Sequence, residues 1–189
     1  MSSVWSGGIS KQYYIFPATA SYAARDFSFR ISMATSSSDL KVPYTNLANI
    51  TRHLIMLEGT AHVLHQGHYD IVMHPYTEID VFNGGWASSA SGKVTDLNLM
   101  VAKGVHGQMS ILDNNGIAAV GGSCETCHKR YNHMAFFCGC GSASFVFSTG
   151  EVLDISRGDL LLVENARSDS QVDITLLDAK LIRIDVCCS

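Results

Sequence analysis

The chain has 189 residues, 47% of them hydrophobic, with a formal net charge of −4 at pH 7. That length fits a single domain built of two halves, with enough apolar content to bury a real core. The charge excludes the basic surface that nucleic acid or a polybasic membrane anchor requires, which leaves a binding protein or an enzyme.

The opening Met1-Ser-Ser-Val-Trp-Ser-Gly-Gly8 lacks the basic-then-apolar order of a signal peptide, and no apolar run is long enough to span a bilayer, so the expected location is cytoplasmic. Residues 11–16 form a β-rich run stopped by Pro17, which reads as an edge strand because proline has no N–H for a ladder. From Asp26 to Met33 the apolar residues Phe27, Phe29, Ile31 and Met33 alternate with Ser28, Arg30 and Ser32, placing Arg30 on the face opposite the aromatics. Residues 34–50 are rich in Ser, Thr and Asn and read as a loop with room for one helical turn.

Three apolar runs follow between Arg52 and Met73, broken at Glu58-Gly59 and Gln66-Gly67. Glycine supplies the positive φ of a hairpin turn, so the spacing predicts a β-meander. A strand over 78–82 leads to the turn Asn83-Gly-Gly-Trp86, and the small residues 87–92 read as a surface loop. Residues 93–102 alternate again, so that Asp96, Asn98 and Met100 share one face and Leu97, Leu99 and Val101 the other. A strand over 106–112 ends at Asp113-Asn-Asn-Gly116. The Gly- and Cys-rich segment 121–141 interrupts the pattern before strands resume at 144–147, 151–155, 159–163 and 172–186. Many short strands at close spacing predict an all-β barrel or sandwich.

In chain order, Trp5-Ser-Gly-Gly8, Phe29-Arg-Ile-Ser-Met-Ala34, Thr51-Arg52 with Leu54-Ile-Met-Leu-Glu-Gly59, Phe82-Asn-Gly-Gly-Trp86, Thr95-Asp-Leu-Asn-Leu-Met100 and Gly158-Asp-Leu-Leu-Leu-Val-Glu164 resemble the HutD/Ves family across nearly the whole chain. The resemblance implies an RmlC-like bicupin over residues 1–189, with double-stranded β-helix barrels and no established catalysis. It also implies a role in binding a small metabolite and moderating its level or its pathway, in histidine utilisation for HutD members and in stress response for Ves members. The segment from Cys124 to Cys140 is not part of that family pattern.

Among the polar residues of the family motifs, Arg30, Arg52, Asp96 and Asn98, with Phe82, form the expected ligand site. An inward guanidinium holds a carboxylate through two parallel hydrogen bonds, and an Asn amide both donates and accepts. The competing reading is an internal Arg–Asp pair that ties strands together. Metal-binding cupins need several His and a Glu on adjacent strands. Here Gly67 and Ile71 or Val72 fall where the second His and the Glu belong, so no barrel metal is expected at His62, His65 or His68.

Cys124-x-x-Cys127 with Cys138 and Cys140 offers four thiolates for a structural zinc, against the alternatives of free thiols or a haem-attachment motif at Cys124–His128. The adjacent Cys187-Cys188 pair argues that thiols stay at least partly free. The functional expectation is thus a non-catalytic protein that binds a carboxylate-bearing small molecule, without nucleic-acid or membrane partners and assembling as a homodimer. The alternative is a metal-independent cupin enzyme, an isomerase or epimerase, with a His base oriented by a carboxylate such as Asp96. Hydrolase elbows, phosphate loops and zinc-protease helices are absent from the sequence.

Overall fold

A computed structural model describes residues 2–5, 7–164 and 170–188. Ser6, inside the expected Trp5–Gly8 turn, lies outside the described residues. All regular structure among the described residues is strand, and no helix is long and apolar enough to cross a membrane. The chain divides into two compact units, Met1–Gly104 and Val105–Ser189.

The first unit contains β1 (Ser2–Trp5), β2 (Gly8–Phe16), β3 (Phe29–Ser36), β4 (Val42–Pro43), β5 (Ile50–Glu58), β6 (Ala61–His65), β7 (Tyr69–Met73), β8 (Asp80–Asn83), β9 (Ser88–Ser91) and β10 (Val94–Ala102). One sheet has the order β1-β2-β3-β10-β5-β8 and the other β4-β9-β6-β7. Strand β2 is flanked by β1 only over Gly8–Lys11; from Gln12 to Phe16 it pairs with β3 alone, so that part is an edge as expected. The expected meander is also split. Strands β6 and β7 form a hairpin, but β5 pairs with β10 and β8 in the other sheet.

Gly59 makes that change of sheet at φ 73, and a Cβ there would collide with the Lys93 carbonyl. The segment expected as a surface loop over 87–92 contains β9, whose small residues pair with β4 and β6. No helical turn forms in 34–50. Leu54, Met56, Ala61, Val63, Met73, Phe82 and Val94 pack into one apolar cluster drawn from both sheets.

The second unit contains β11 (His106–Leu112), β12 (Gly116–Ala119), β13 (His133–Phe147), β14 (Val152–Ser156), β15 (Leu160–Glu164) and β16 (Gln171–Cys187). Its sheet runs β11-β16-β13-β14, with β12 also on β16 and β15 also on β13. The second part of the Cys-rich segment is thus strand, since β13 begins at His133 and passes through Cys138 and Cys140. Register breaks between Cys138 and Cys140 and again before Ser142 mark bulges. Gly141, at φ 64, lets the chain approach the Leu177 and Asp178 carbonyls, where a Cβ would clash.

Candidate functional site

The first unit's site is set by register. Across β3, β10 and β5, Met100 lies between Arg30 and Arg52, Asn98 between Ser32 and Leu54, and Asp96 between Ala34 and Met56. Directly opposed residues of antiparallel strands project from the same face. Period two therefore brings Arg30, Ser32, Arg52, Asp96 and Asn98 to one surface. Strand β10 is buried over nearly its whole length, so this polar face looks into protein rather than bulk water. It lines a cavity of about 200 Å³, to which Tyr22 and Tyr44 also contribute. Phe82 is not in the cavity wall; it lies behind Arg52, with its ring centroid 5.3 Å from the guanidinium carbon.

The two arginines differ in how they are satisfied. Arg30 donates from Nε to Gln12 Oε1 at 2.9 Å and from Nη1 to Ser32 Oγ at 2.7 Å, and its guanidinium lies 4.5 Å from the Tyr22 ring. Arg52 is 6% exposed, 4.6 Å from the Tyr44 ring, and its buried Nε has no hydrogen-bond partner. No Arg52–Asp96 ion pair forms among the described residues. Asn98, 4% exposed, likewise leaves Oδ1 unpartnered. Burial lowers the Arg52 pKa, with Tyr44 and Asp96 acting against it. Burial also pushes the Asp96 carboxyl up to about 7, and Arg52 only partly offsets this. Two guanidinium groups therefore face one carboxyl that ionises reluctantly, leaving the cavity with an excess of positive charge.

A different arrangement surrounds His65, a residue read from sequence as one of several scattered histidines. It is buried, with Nε2 2.8 Å from Asp80 Oδ2 and Nδ1 2.7 Å from Ser88 Oγ, while the Tyr69 hydroxyl donates to Asp80 Oδ1 at 2.6 Å. Both ring nitrogens thus have a polar partner, one on each side. The order Ser–His–Asp is that of a nucleophilic triad, but none of the three borders the cavity. A catalytic base must reach its substrate. This network instead ties β8 of one sheet to β6, β7 and β9 of the other. His62 pairs with exposed Asp70 at 3.0 Å and His68 stacks on Trp86 at 3.7 Å, so these histidines do not converge.

The four cysteines expected to share an ion are divided. Cys124 and Cys127 lie together near His106. The Cys138 thiol instead donates to the Cys140 carbonyl at 3.3 Å, and that of Cys140 to the Asp178 carbonyl at 3.6 Å. Cys138 pairs with Leu181 on β16, and Cys187, whose Sγ lies 3.0 Å from that of Cys127, is six residues further along that strand. At ~3.3 Å per residue this is about 20 Å from the Cys127 neighbourhood, beyond the reach of any single ion. Burial raises the thiols of Cys138, to about 11, and Cys188, to about 11.

A family model described as HutD matches residues 1–180. The chain belongs to the HutD family. No curated protein matches it in sequence. Among solved structures, this HutD chain is similar to a conserved protein of unknown function from Pseudomonas aeruginosa PAO1, at 15% identity and TM-score 0.82, covering 100% of this chain and 94% of the other. HutD from Pseudomonas fluorescens SBW25 matches at 16% identity and TM-score 0.75, covering 100% and 95%. A Cupin 2 conserved barrel domain protein from Leptotrichia buccalis matches at 8% identity and TM-score 0.60, covering 98% and 91%. The fold is cupin-like and all-β.

The sequence motifs did not single out Tyr22, Ser32 or Tyr44 for the site. The alternation of Arg30 with Ser32 was the available signal for Ser32. The two tyrosines sit in segments without periodicity, where nothing local marks them.

Proposed function

We propose that this HutD protein is a non-catalytic binder of a small carboxylate metabolite, held in the first unit's cavity by Arg52 and Arg30. The observation that carries this reading is the pair of unpartnered buried polar atoms, Arg52 Nε and Asn98 Oδ1, on the wall of one cavity. Leaving a buried cation without an anion costs several kcal/mol, and a buried acceptor without a donor costs about 1–3 kcal/mol. A ligand carboxylate satisfies the first. A ligand N–H or O–H close to that carboxylate satisfies the second. The ligand class is therefore an acid bearing a neighbouring amide, imine or hydroxyl donor, such as an acylated or formiminated amino acid. By family, the role is to moderate the level of such a metabolite or the expression of its pathway, in histidine utilisation or stress response. We further read the two units as the paired barrels of a bicupin, the protein as cytoplasmic, and a homodimer as its assembly.

One observation favours the enzymatic alternative. Asp96, held at about 7, is a carboxyl able to give or take a proton near neutral pH within the same cavity. It has no His partner among the hydrogen bonds of the described residues, so the binding reading stands first. A thermal-shift screen against acylated and formiminated glutamates, urocanate and simple sugars tests it. A ligand at 100 times its Kd adds about 2.7 kcal/mol, which for a chain of this size raises Tm by roughly 5–10 °C. Stabilisation by carboxylates but not by their methyl esters is expected. Stabilisation by neutral sugars alone would overturn the proposal, as would turnover of the bound carboxylate.

A further inference from the structure

The second unit brings together a set of metal-ligating side chains that the sequence does not place side by side. His106 opens β11 and is registered directly opposite Cys187, near the end of β16. Antiparallel partners share a face, so the imidazole and the thiol project to the same side. The loop between β12 and β13 returns over this point. Its arms are held by the Ser123–Arg130 bridge and by the Tyr131 N–H donating to the Gly122 carbonyl at 3.0 Å.

At the tip of the loop the Cys124 N–H donates to the Lys129 carbonyl at 2.8 Å, and the His128 N–H to the Cys124 carbonyl at 2.9 Å. His128 takes φ 55, the left-handed conformation that closes so tight a turn.

One nitrogen of His106 and the sulfurs of Cys124 and Cys127 all lie within 4.8 Å of one another, and Cys187 Sγ is 3.0 Å from Cys127 Sγ. Tetrahedral zinc, with Zn–S of about 2.3 Å and Zn–N of about 2.0 Å, separates its ligand atoms by about 3.5–3.8 Å. Cys187 Sγ, next to Cys127 Sγ but outside the group of three, has to turn towards His106 to complete the tetrahedron. The 3.0 Å sulfur separation is much longer than a disulfide bond of about 2.05 Å, and all six cysteines are free. The ends of the site are fixed from outside it. Asn132 accepts from the Cys188 N–H at 2.9 Å through Oδ1, and its own N–H donates to the Val186 carbonyl at 3.2 Å, so the chain is clamped on both sides of Cys187.

We infer that His106, Cys124, Cys127 and Cys187 form a closed structural zinc site that staples the β12–β13 loop to the ends of β11 and β16. Binding takes one Zn²⁺ and releases three thiol protons, with neutral imidazole as the fourth ligand and a net charge of −1 on the site. Four protein ligands leave no open position, so the ion organises the loop and does no chemistry. Cys124, Tyr131 and Cys187 belong to the second unit's apolar cluster, so this local order extends into the core.

The test is metal analysis of the full chain purified under reducing conditions, followed by X-ray absorption at the zinc edge and cobalt substitution. One equivalent of zinc is expected, with three sulfur neighbours at about 2.3 Å and one nitrogen at about 2.0 Å. The cobalt form should show thiolate charge-transfer bands that weaken in Cys187→Ser and persist in Cys140→Ser. Should Cys187→Ser fail to fold, the absorption spectrum of the unmodified chain decides by its sulfur count. Failure of the reduced protein to take up zinc would overturn the inference. So would a shell of four sulfurs, a cobalt spectrum lost in Cys140→Ser, or an unreduced mass two hydrogens lighter with a Cys127–Cys187 disulfide.

Discussion

Replacing Arg52 with methionine separates a ligand-binding arginine from a structural one. Methionine keeps an unbranched apolar stem between Tyr44 and Phe82, so the packing is largely preserved while the charge is removed. Two contributions to stability change in opposite directions. The cation–π contacts with Tyr44 and Phe82 are lost, at about 1–2 kcal/mol for a desolvated guanidinium. The unpaired buried charge disappears as well, relieving a desolvation penalty of several kcal/mol.

Asp96 is not stranded by the change. No ion pair joins it to Arg52 among the described residues, and without the arginine's pull its carboxyl shifts further up, towards the neutral form. The ligand-free variant should therefore melt within about 5 °C of the parent, given ~2–4 °C per kcal/mol for a chain of this size. Binding behaves differently, because a ligand carboxylate loses its charged partner. A loss of about 2–5 kcal/mol weakens Kd by roughly 30- to 5,000-fold. Differential scanning calorimetry reads the first effect and isothermal titration with the carboxylate identified by thermal shift reads the second. A variant that binds as tightly as the parent would refute the reasoning, as would one that loses more than about 10 °C in Tm without ligand.

The raised Asp96 carboxyl makes stability depend on pH. Between the ordinary aspartate value of 3.8 and about 7 the folded state holds a proton that the unfolded state has released, so stability falls as pH rises through this window, by at most about 4 kcal/mol. Urea titrations of Asp96→Asn should lack that component, and its carboxylate affinity should stay level above pH 7 where the parent's declines; identical pH profiles for the two proteins would rule the mechanism out. His65→Leu leaves Asp80 and Ser88 without their shared partner and should cost about 3–5 kcal/mol in chemical denaturation without altering carboxylate affinity relative to the folded fraction. Tyr69→Phe removes only the bond to Asp80 and should cost about 1–2 kcal/mol. Gly59→Ala adds a Cβ against the Lys93 carbonyl at positive φ, and a Tm fall of several degrees is expected, whereas an unchanged Tm would mean the turn relaxes freely.

The legible part of this protein was its alternation. The period-two pattern of residues 93–102 by itself puts Asp96 and Asn98 on one face, and β10 has that face turned into the cavity. Arg52 was harder to place, since β5 is apolar on both faces and gives no alternating signal; its family motif located it. Strand β9 was invisible because Ser-Ser-Ala-Ser has the composition of a loop, and it becomes a strand through its neighbours β4 and β6.

The sheet change at Gly59 was also hidden, since a glycine turn looks alike whether it closes a hairpin or crosses between sheets. The His65 network and the metal-ligating cluster share one cause of illegibility. Cys124-x-x-Cys127 is a local motif, but Cys187 stands sixty residues from Cys127 in sequence and reaches it through the pairing of β13 with β16, while β11 on the other side of β16 brings His106. Cys138 and Cys140, nearer in sequence, are carried away along β13.

Whether the cavity between Arg30 and Arg52 holds a carboxylate is tested most directly by a crystal structure with the best stabilising acid. The prediction is a carboxylate oxygen about 2.7–2.9 Å from Arg52 Nε, a ligand N–H or O–H on Asn98 Oδ1, and Asp96 without a salt bridge to either arginine. A ligand bound elsewhere would contradict it, as would Asp96 turned onto Arg52 with the acid absent from the cavity.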